Sequence, residues 1–179
     1  MTKRKVTFII LHLLLTVLVS CDSAPKMEDI VSNLINRKYS FGKDNIEYEL
    51  ADRNYTIVTY IDSIGCVACK LKLDDWKKFT TMLHSIDKTI KIVFIAHQSV
   101  RKELPKLLKG SDFYPNLVIY DEDEKLKHAN NIPDELLLQT VLLSECNEIL
   151  LVGNPVHNKN IKSLMINTIK KRNRRKEQY

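Results

Sequence analysis

The chain has 179 residues, of which 44% are hydrophobic and 28% are charged, and its formal net charge is +6. This length and apolar content suffice for one domain with a hydrophobic core, and they exclude a low-complexity or disordered chain. The positive charge lies at the two ends. Without the three bases of residues 3–5 and the five net positive charges of residues 170–177, the net charge is −2. The charge therefore does not indicate a nucleic-acid-binding domain.

The start of the chain is typical of an exported protein. Basic residues at 3–5 precede an apolar run over 6–19, which is shorter than the roughly 20 residues that cross a bilayer as a helix. Leu18-Val19-Ser20-Cys21 follows, and this sequence resembles the cleavage motif of bacterial lipoproteins. The resemblance implies cleavage before Cys21 and lipid on that cysteine, which would anchor the protein to a membrane. An ordinary signal peptide or an uncleaved anchor is the alternative.

We divide the chain where its composition changes. Residues 1–20 form the signal peptide, residues 21–44 a tether with an N-terminal helix, and residues 45–170 the main domain. Residues 171–179 form a basic C-terminal tail. This tail either contacts anionic lipid headgroups or is the solvated end of a helix whose cations suit the helix C-terminus.

Apolar spacing predicts strands and helices in alternation. Continuous β-branched runs predict buried strands, and a helical period of apolar residues predicts amphipathic helices. The predicted strands cover 45–50, 55–61, 91–96 and 116–120, followed by a hairpin of 139–143 and 148–152. The predicted helices cover 27–36, 66–84, 99–108 and 158–175. This order predicts an α/β fold with a partly parallel sheet.

Two cysteines lie where the strand predicted over 55–61 ends and a helix begins, in Cys66-Val67-Ala68-Cys69. A dithiol in this position is typical of thiol–disulfide oxidoreductases. The unpaired N–H groups at a helix N-terminus favour a thiolate. We therefore predict that Cys66 is the exposed attacking thiol and that Cys69 resolves the mixed disulfide. Val67 and Ala68, the two residues between the cysteines, include no histidine, and this favours a reductant over an oxidant.

Other interpretations of this region stay open. The pair could be a structural disulfide or half of a zinc site, and together with His97 it could hold copper. Asp62 and Lys70 could help titrate the dithiol, or they could be surface charges. Cys146 is either a bystander or a resolving or intermolecular thiol. His157 is expected to be a solvated loop residue.

Two segments of the chain match a known family. The first is Gly65-Cys66-Val67-Ala68-Cys69 after a strand, and the second is Thr140-Val141-Leu142-Leu143-Ser144, a turn, and Ile149-Leu150-Leu151-Val152-Gly153. With them, residues 46–170 resemble the thioredoxin superfamily, nearest to TlpA/ResA-like and peroxiredoxin-like redoxins and to thioredoxin-like lipoproteins of Bacteroidota. The resemblance implies a thioredoxin-like fold, with a central mixed sheet, flanking helices, and a C-terminal β-hairpin plus helix.

The chain departs from the family pattern beside the dithiol. The family usually has a cis-proline where this chain has Leu138 and Gln139, a buried acid where it has Tyr60, and an aromatic residue where it has Gly65. These differences leave the thiol chemistry of Cys66 in place, but they remove accessory groups that a typical thioredoxin carries.

The leading hypothesis is a membrane-anchored, extracytoplasmic thiol–disulfide oxidoreductase of the bacterial cell envelope. The resemblance implies that it acts on cysteines of exported proteins, receives electrons from a membrane reductant, and needs no bound cofactor or metal. Contact with lipid would be made through Cys21, and no nucleic acid is expected as a partner. The alternative is a redox-inert binding or scaffold lipoprotein of the same fold, and a peroxiredoxin-like peroxidase is a third hypothesis.

Overall fold

The computed structural model describes residues 25–42, 46 and 49–178. The predicted signal peptide at 1–20 and the predicted lipidation site Cys21 lie outside the described residues. The chain divides into two units, residues 1–30 and residues 31–179, and the sheet and the candidate site belong to the second. Within the described ranges, no helix is both long enough and apolar enough to cross a membrane.

One mixed sheet of five strands forms the centre of the second unit. Its strands are β1 Tyr55–Ile61, β2 Lys91–His97, β3 Leu117–Asp121, β4 Thr140–Ser144 and β5 Ile149–Val152. They lie in the order β3-β2-β1-β4-β5. β1, β2 and β3 run parallel, whereas β4 pairs antiparallel with both β1 and β5. β1 is the middle strand, and all seven of its residues are buried, as expected of a strand that is covered on both faces.

Six α-helices have both of their ends among the described residues. They are α1 Met27–Leu34, α2 Val67–Leu71, α3 Leu73–His84, α4 Leu104–Ser111, α5 Lys125–Ala129 and α6 Lys159–Lys176. The longest of them, α6, begins at a side-chain cap, since the Oδ1 of Asn158 accepts hydrogen bonds from the N–H groups of Asn160 and Ile161. The element order therefore ends in an antiparallel hairpin and a helix, as the sequence predicts.

The hydrophobic core lies between the sheet and four of the helices. Buried residues of β1, β2, β4 and β5 join those of α2, α3, α4 and α6 in a single cluster. Aromatic rings dominate its centre, where Trp76 of α3 contacts Phe79 and Phe94 with ring centroids 6.1 and 5.6 Å apart. The opposite face of the sheet is covered in part by the segment after α1, whose Tyr39 and Phe41 are buried.

Three sequence predictions about elements need correction. The edge strand predicted over 45–50 is wrong at its described residues, because Ile46 is helical and its carbonyl accepts from the N–H of Leu50. The single helix predicted over 66–84 is two helices, separated at Lys72, whose backbone is left-handed with φ 47°. The helix predicted over 99–108 starts later, at Leu104, because residues 98–100 form a separate 3₁₀ turn.

Candidate functional site: a disulfide at the carboxyl edge of the sheet

The two cysteines follow the carboxyl end of the central strand. β1 ends at Ile61, and a turn over 62–65 leads to Cys66, which caps the N-terminus of α2. Within that turn the Oδ1 of Asp62 accepts from the N–H of Ile64 at 3.0 Å. Gly65 has φ +71°, a left-handed conformation that strains any residue with a Cβ atom. A glycine rather than the family's aromatic residue therefore suits this turn.

Cys66 and Cys69 are joined by a disulfide, with their Cα atoms 5.4 Å apart. The Sγ of Cys66 also accepts a hydrogen bond from the N–H of Cys69 at 3.2 Å. Both cysteines are exposed, so burial does not distinguish an attacking from a resolving thiol. The pairing predicted from the sequence is present, and the two separate roles of Cys66 and Cys69 stay a prediction.

The N–H that points at Cys66 has a chemical consequence for the reduced protein. A free cysteine with a pKa near 8.5 is about 3% ionised at neutral pH. A hydrogen-bond donor aimed at its sulfur favours the thiolate, which is the nucleophile in disulfide exchange. Of the two sulfurs, the structure places such a donor on Cys66.

A buried carboxylate lies directly behind the dithiol turn. Asp62 is only 7% exposed, and it accepts hydrogen bonds from the Nζ of Lys70 at 2.8 Å and from the Nε2 of Gln139 at 3.1 Å. Burial raises the pKa of Asp62, but the hydrogen bonds from Lys70, Gln139 and the N–H of Ile64 outweigh it and hold that pKa below its ordinary value. The surface-charge interpretation of Asp62 is therefore wrong, because the carboxylate is buried and paired.

Gln139 occupies one of the two positions at which the family usually has a cis-proline. Its backbone carbonyl accepts from the N–H of Tyr60 at 2.8 Å, which continues the pairing of β4 with β1 beyond Thr140. No peptide bond between described residues is cis. Gln139 instead contributes a side-chain donor to Asp62. The sequence offers no local signal for this contact, since the two residues are 77 positions apart.

Tyr60 stands where the family usually has its buried acid, and it does not replace that acid. Burial is the main cause that raises its pKa, and the nearby carboxylate of Asp121 adds to the effect, so the phenol stays neutral at physiological pH. The negative charge near the dithiol comes from Asp62, two residues further along the chain. The sequence identifies Asp62 as a candidate group near the dithiol, but its burial and its pairing with Gln139 are visible only in the structure.

His157 is also placed differently from its prediction. It belongs to the loop between β5 and α6, and its Nε2 lies 2.6 Å from the carbonyl oxygen of Lys70, the residue after Cys69. The expectation of a solvated loop histidine is wrong, because the ring is partly buried against the dithiol helix.

Two segments that contribute to the site each expose an apolar side chain. Ile64, in the turn before Cys66, is 63% exposed, and Leu137, just before Gln139, is 41% exposed. The carbonyl oxygen of Leu137 accepts a hydrogen bond from the N–H of Asn154, which joins this segment to the loop after β5.

The other candidate residues are not brought to the dithiol. Cys146 is an exposed free thiol in the turn between β4 and β5. This turn follows Ser144, which pairs with Tyr55, the first residue of β1. Cys146 therefore lies at the end of the sheet opposite to the dithiol. His97 lies at the end of β2, where its Nδ1 accepts from the N–H of Ser99. Within the described residues, no three of His, Cys, Asp or Glu lie close enough together to hold a metal ion.

The fold and the disulfide together define a class: a thioredoxin-like α/β protein with a Cys-x-x-Cys pair at the start of the helix that follows the central strand. Among solved structures, the chain is similar to a protein assigned as the thiol:disulfide interchange protein DsbE of Chlorobium tepidum. That likeness has a TM-score of 0.54 and 11% identity, over 76% of this chain and 95% of the other. Peroxidoxin BcpB of Mycobacterium tuberculosis matches with a TM-score of 0.51 and 13% identity, over 69% of this chain and 84% of the other.

These two likenesses confirm the thioredoxin-like fold that the sequence resemblance implies. No protein-family model matches the sequence, and no curated protein matches it either.

Proposed function

We propose that the protein is a thiol–disulfide oxidoreductase. The observation that carries this proposal is the exposed Cys66–Cys69 disulfide at the start of a helix, on a thioredoxin-like fold. The buried Asp62 and the exposed apolar Ile64 beside it add a charged group and a contact surface.

The reaction follows from the two thiols. In the reduced protein, the Cys66 thiolate attacks one sulfur of a client disulfide, a mixed disulfide forms, and one client sulfur leaves as a thiolate. The Cys69 thiolate then attacks the sulfur of Cys66, the Cys66–Cys69 bond forms, and the second client thiolate leaves. Two electrons have passed to the client, and a reductant of the dithiol class must return them before the next cycle.

We further propose that the reaction takes place in the cell envelope, on cysteines of exported proteins. The support for this location is the sequence of residues 3–21, with its basic start, apolar run and cysteine-containing cleavage motif. An anchored protein outside the reducing cytosol would receive its electrons from a membrane reductant. A Cys21→Ser variant is expected to lose incorporated fatty acid and to leave the membrane fraction, whereas unchanged membrane retention of an unacylated protein would contradict the lipid anchor.

A Cys69→Ala variant tests the chemistry directly. Without a resolving thiol, the mixed disulfide between Cys66 and its client persists, so covalent adducts should accumulate in cells and disappear on reduction. Cys146→Ala is the matched control, since that thiol lies at the other end of the sheet. Adducts that survive replacement of Cys66 by serine, or their complete absence in Cys69→Ala, would contradict the assignment.

A redox-inert scaffold of the same fold is the second candidate function. The observation that favours it is the replacement of the family's usual cis-proline by Leu138 and Gln139, with no cis peptide bond among the described residues. A scaffold predicts that Cys66→Ser leaves the cellular function unchanged. The oxidoreductase proposal predicts that the same variant abolishes that function.

A further inference from the structure

A hydrogen bond joins the loop before α6 to the helix that carries the dithiol. The Nε2 of His157 lies 2.6 Å from the carbonyl oxygen of Lys70, although the two residues are 87 positions apart. A carbonyl oxygen can only accept, so Nε2 must carry the proton. Because α2 ends at Leu71, its last carbonyls have no partner inside the helix. His157 therefore caps the C-terminal end of this helix from a distant segment of the chain.

The loop that presents His157 is itself fixed. The N–H of Gly153 donates to the carbonyl of Thr140 at 2.8 Å, and the N–H of Asn154 donates to that of Leu137 at 2.9 Å. Gly153 has φ +142°, and a Cβ atom there would come within 2.9 Å of Ile161. Only glycine allows the loop to pass this close to α6. His157 is thus held between two anchored points, the backbone of Asn154 and the helix cap at Asn158.

Lys70 is held from a second side as well. Its Nζ donates to the buried carboxylate of Asp62 at 2.8 Å, while its carbonyl accepts from His157. We call these three residues the Lys70 clamp. α2 has only five residues, and a helix of this length is not stable by itself in water. Its position therefore depends on contacts with the rest of the fold. These are the core packing of Val67 and Leu71 and the Lys70 clamp, and Lys70 directly follows Cys69 in the chain.

We infer that His157 is a positioning residue for the dithiol. By holding the carbonyl of Lys70, it keeps Cys69 within reach of Cys66 after the disulfide opens. This inference rests on the proposed thiol–disulfide chemistry and assigns a role to a residue that contacts neither sulfur in the hydrogen-bond network. Its consequence is a high effective concentration of one thiol at the other, which favours closure of the protein disulfide over a mixed disulfide.

The test is the equilibrium of the full chain with glutathione. In this exchange two glutathione thiols are oxidised to one glutathione disulfide, and the Cys66–Cys69 bond breaks. The two electrons and the two protons of the glutathione thiols pass to the sulfurs of Cys66 and Cys69. The equilibrium constant gives the effective concentration of the two thiols. In His157→Ala we expect that value to fall by about fivefold, the usual worth of one hydrogen bond. In His157→Gln we expect most of it to be restored, because the Nε2 of glutamine can reach the same carbonyl.

His84→Ala is the matched control. The Nε2 of His84 also contacts a backbone carbonyl, that of Ile90 at 3.1 Å, but it lies at the far end of α3. Its loss should lower the free energy of unfolding without changing the glutathione equilibrium. An unchanged effective concentration in His157→Ala, or an equal fall in His157→Gln, would overturn the inference. A wild-type disulfide that does not exchange with glutathione would instead contradict the proposed function itself.

Discussion

At the scale of single residues, the most informative group beside the dithiol is Asp62. A carboxylate with so little solvent exposure is costly unless it is paired, and here one cation and two neutral donors satisfy it. Its pKa lies below the ordinary value because these hydrogen bonds outweigh desolvation. Asp62 is thus ionised near neutral pH. It provides a fixed negative charge that binds Lys70 rather than a neutral acid that could donate a proton.

Replacement of Asp62 by asparagine should therefore change stability in a pH-dependent way. A lowered pKa in the folded state stabilises the fold above the unfolded value of about 4, and this contribution is lost as the pH falls through the folded value. We expect Asp62→Asn to lower the free energy of unfolding by about 2 kcal/mol at neutral pH. The difference from wild type should shrink steadily below about pH 4. Denaturant titrations across this pH range measure both effects.

Asp112 provides the control for this experiment. It forms an ion pair with Lys77 at 3.0 Å, but its side chain is 86% exposed. Surface pairs of this kind stabilise little, so Asp112→Asn should leave the unfolding free energy nearly unchanged at every pH. A loss in Asp62→Asn that does not change with pH would show that the carboxylate has the same pKa in the folded and unfolded states, and it would contradict the lowered pKa.

The sequence predicts the reactive residues better than their surroundings. Cys66 and Cys69 are found because their spacing and their place after a strand are local features. The contacts of Asp62 with Gln139 and of His157 with Lys70 are found only in the structure, because they join distant segments of the chain. Asp62 in particular looks like an ordinary turn residue until Gln139 and Lys70 enclose it.

At the scale of elements, the break between α2 and α3 separates the dithiol from the core-packing helix. Lys72 lies at this break with φ 47° and ψ 53°, and it ends one helix and begins the next. α3 buries Trp76, Phe79 and Leu83 in the core, whereas α2 carries the exposed cysteines. α2 also buries Val67 and Leu71 in the core, so this packing and the Lys70 clamp together position the short helix.

Replacing Lys72 by glycine should stabilise the protein. The left-handed conformation costs a residue with a Cβ atom about 1–2 kcal/mol, and glycine avoids this cost. Glycine also makes the unfolded chain more flexible, which stabilises the unfolded state and offsets part of the gain. We expect the free energy of unfolding to rise by about 0.5–1 kcal/mol, as measured by denaturant titration. The matched control is Lys78→Gly, inside α3, where glycine should cost about 1 kcal/mol. Equal destabilisation by both changes would contradict the left-handed conformation at Lys72.

The strands were easier to predict than the helix boundaries. The apolar runs over 55–61 and 91–96 are continuous, and both become buried strands at nearly the predicted bounds. No glycine or proline marks the helix break at Lys72. The helical spacing of apolar residues therefore predicts one continuous helix across it. The 3₁₀ turn of residues 98–100 likewise depends on the ring of His97, which accepts from the N–H of Ser99.

At the scale of the whole molecule, the topology brings four segments to one edge of the sheet. These are the end of β1, the start of α2, the segment before β4 and the loop after β5. The sequence predicts this α/β order, but it cannot show that Asp62, Gln139 and His157 meet there. The opposite end of the sheet carries Cys146 and the last turn of α6, where Lys176 pairs with Glu145. Cys146 is thus separated from the dithiol by the length of β1, and an intramolecular resolving role does not fit this topology.

The measurement that tests the central claim most directly is the reduction potential of the Cys66–Cys69 pair. The protein is equilibrated in buffers with a series of ratios of reduced to oxidised glutathione, and the fraction of free thiol is measured by alkylation. The Cys146→Ala variant is used, because Cys146 would otherwise add a third thiol to the signal. We predict a single two-electron couple between about −120 and −270 mV, the range of working thiol–disulfide oxidoreductases. A disulfide that stays closed across all buffers, or thiols that never pair, would contradict the account and favour the scaffold.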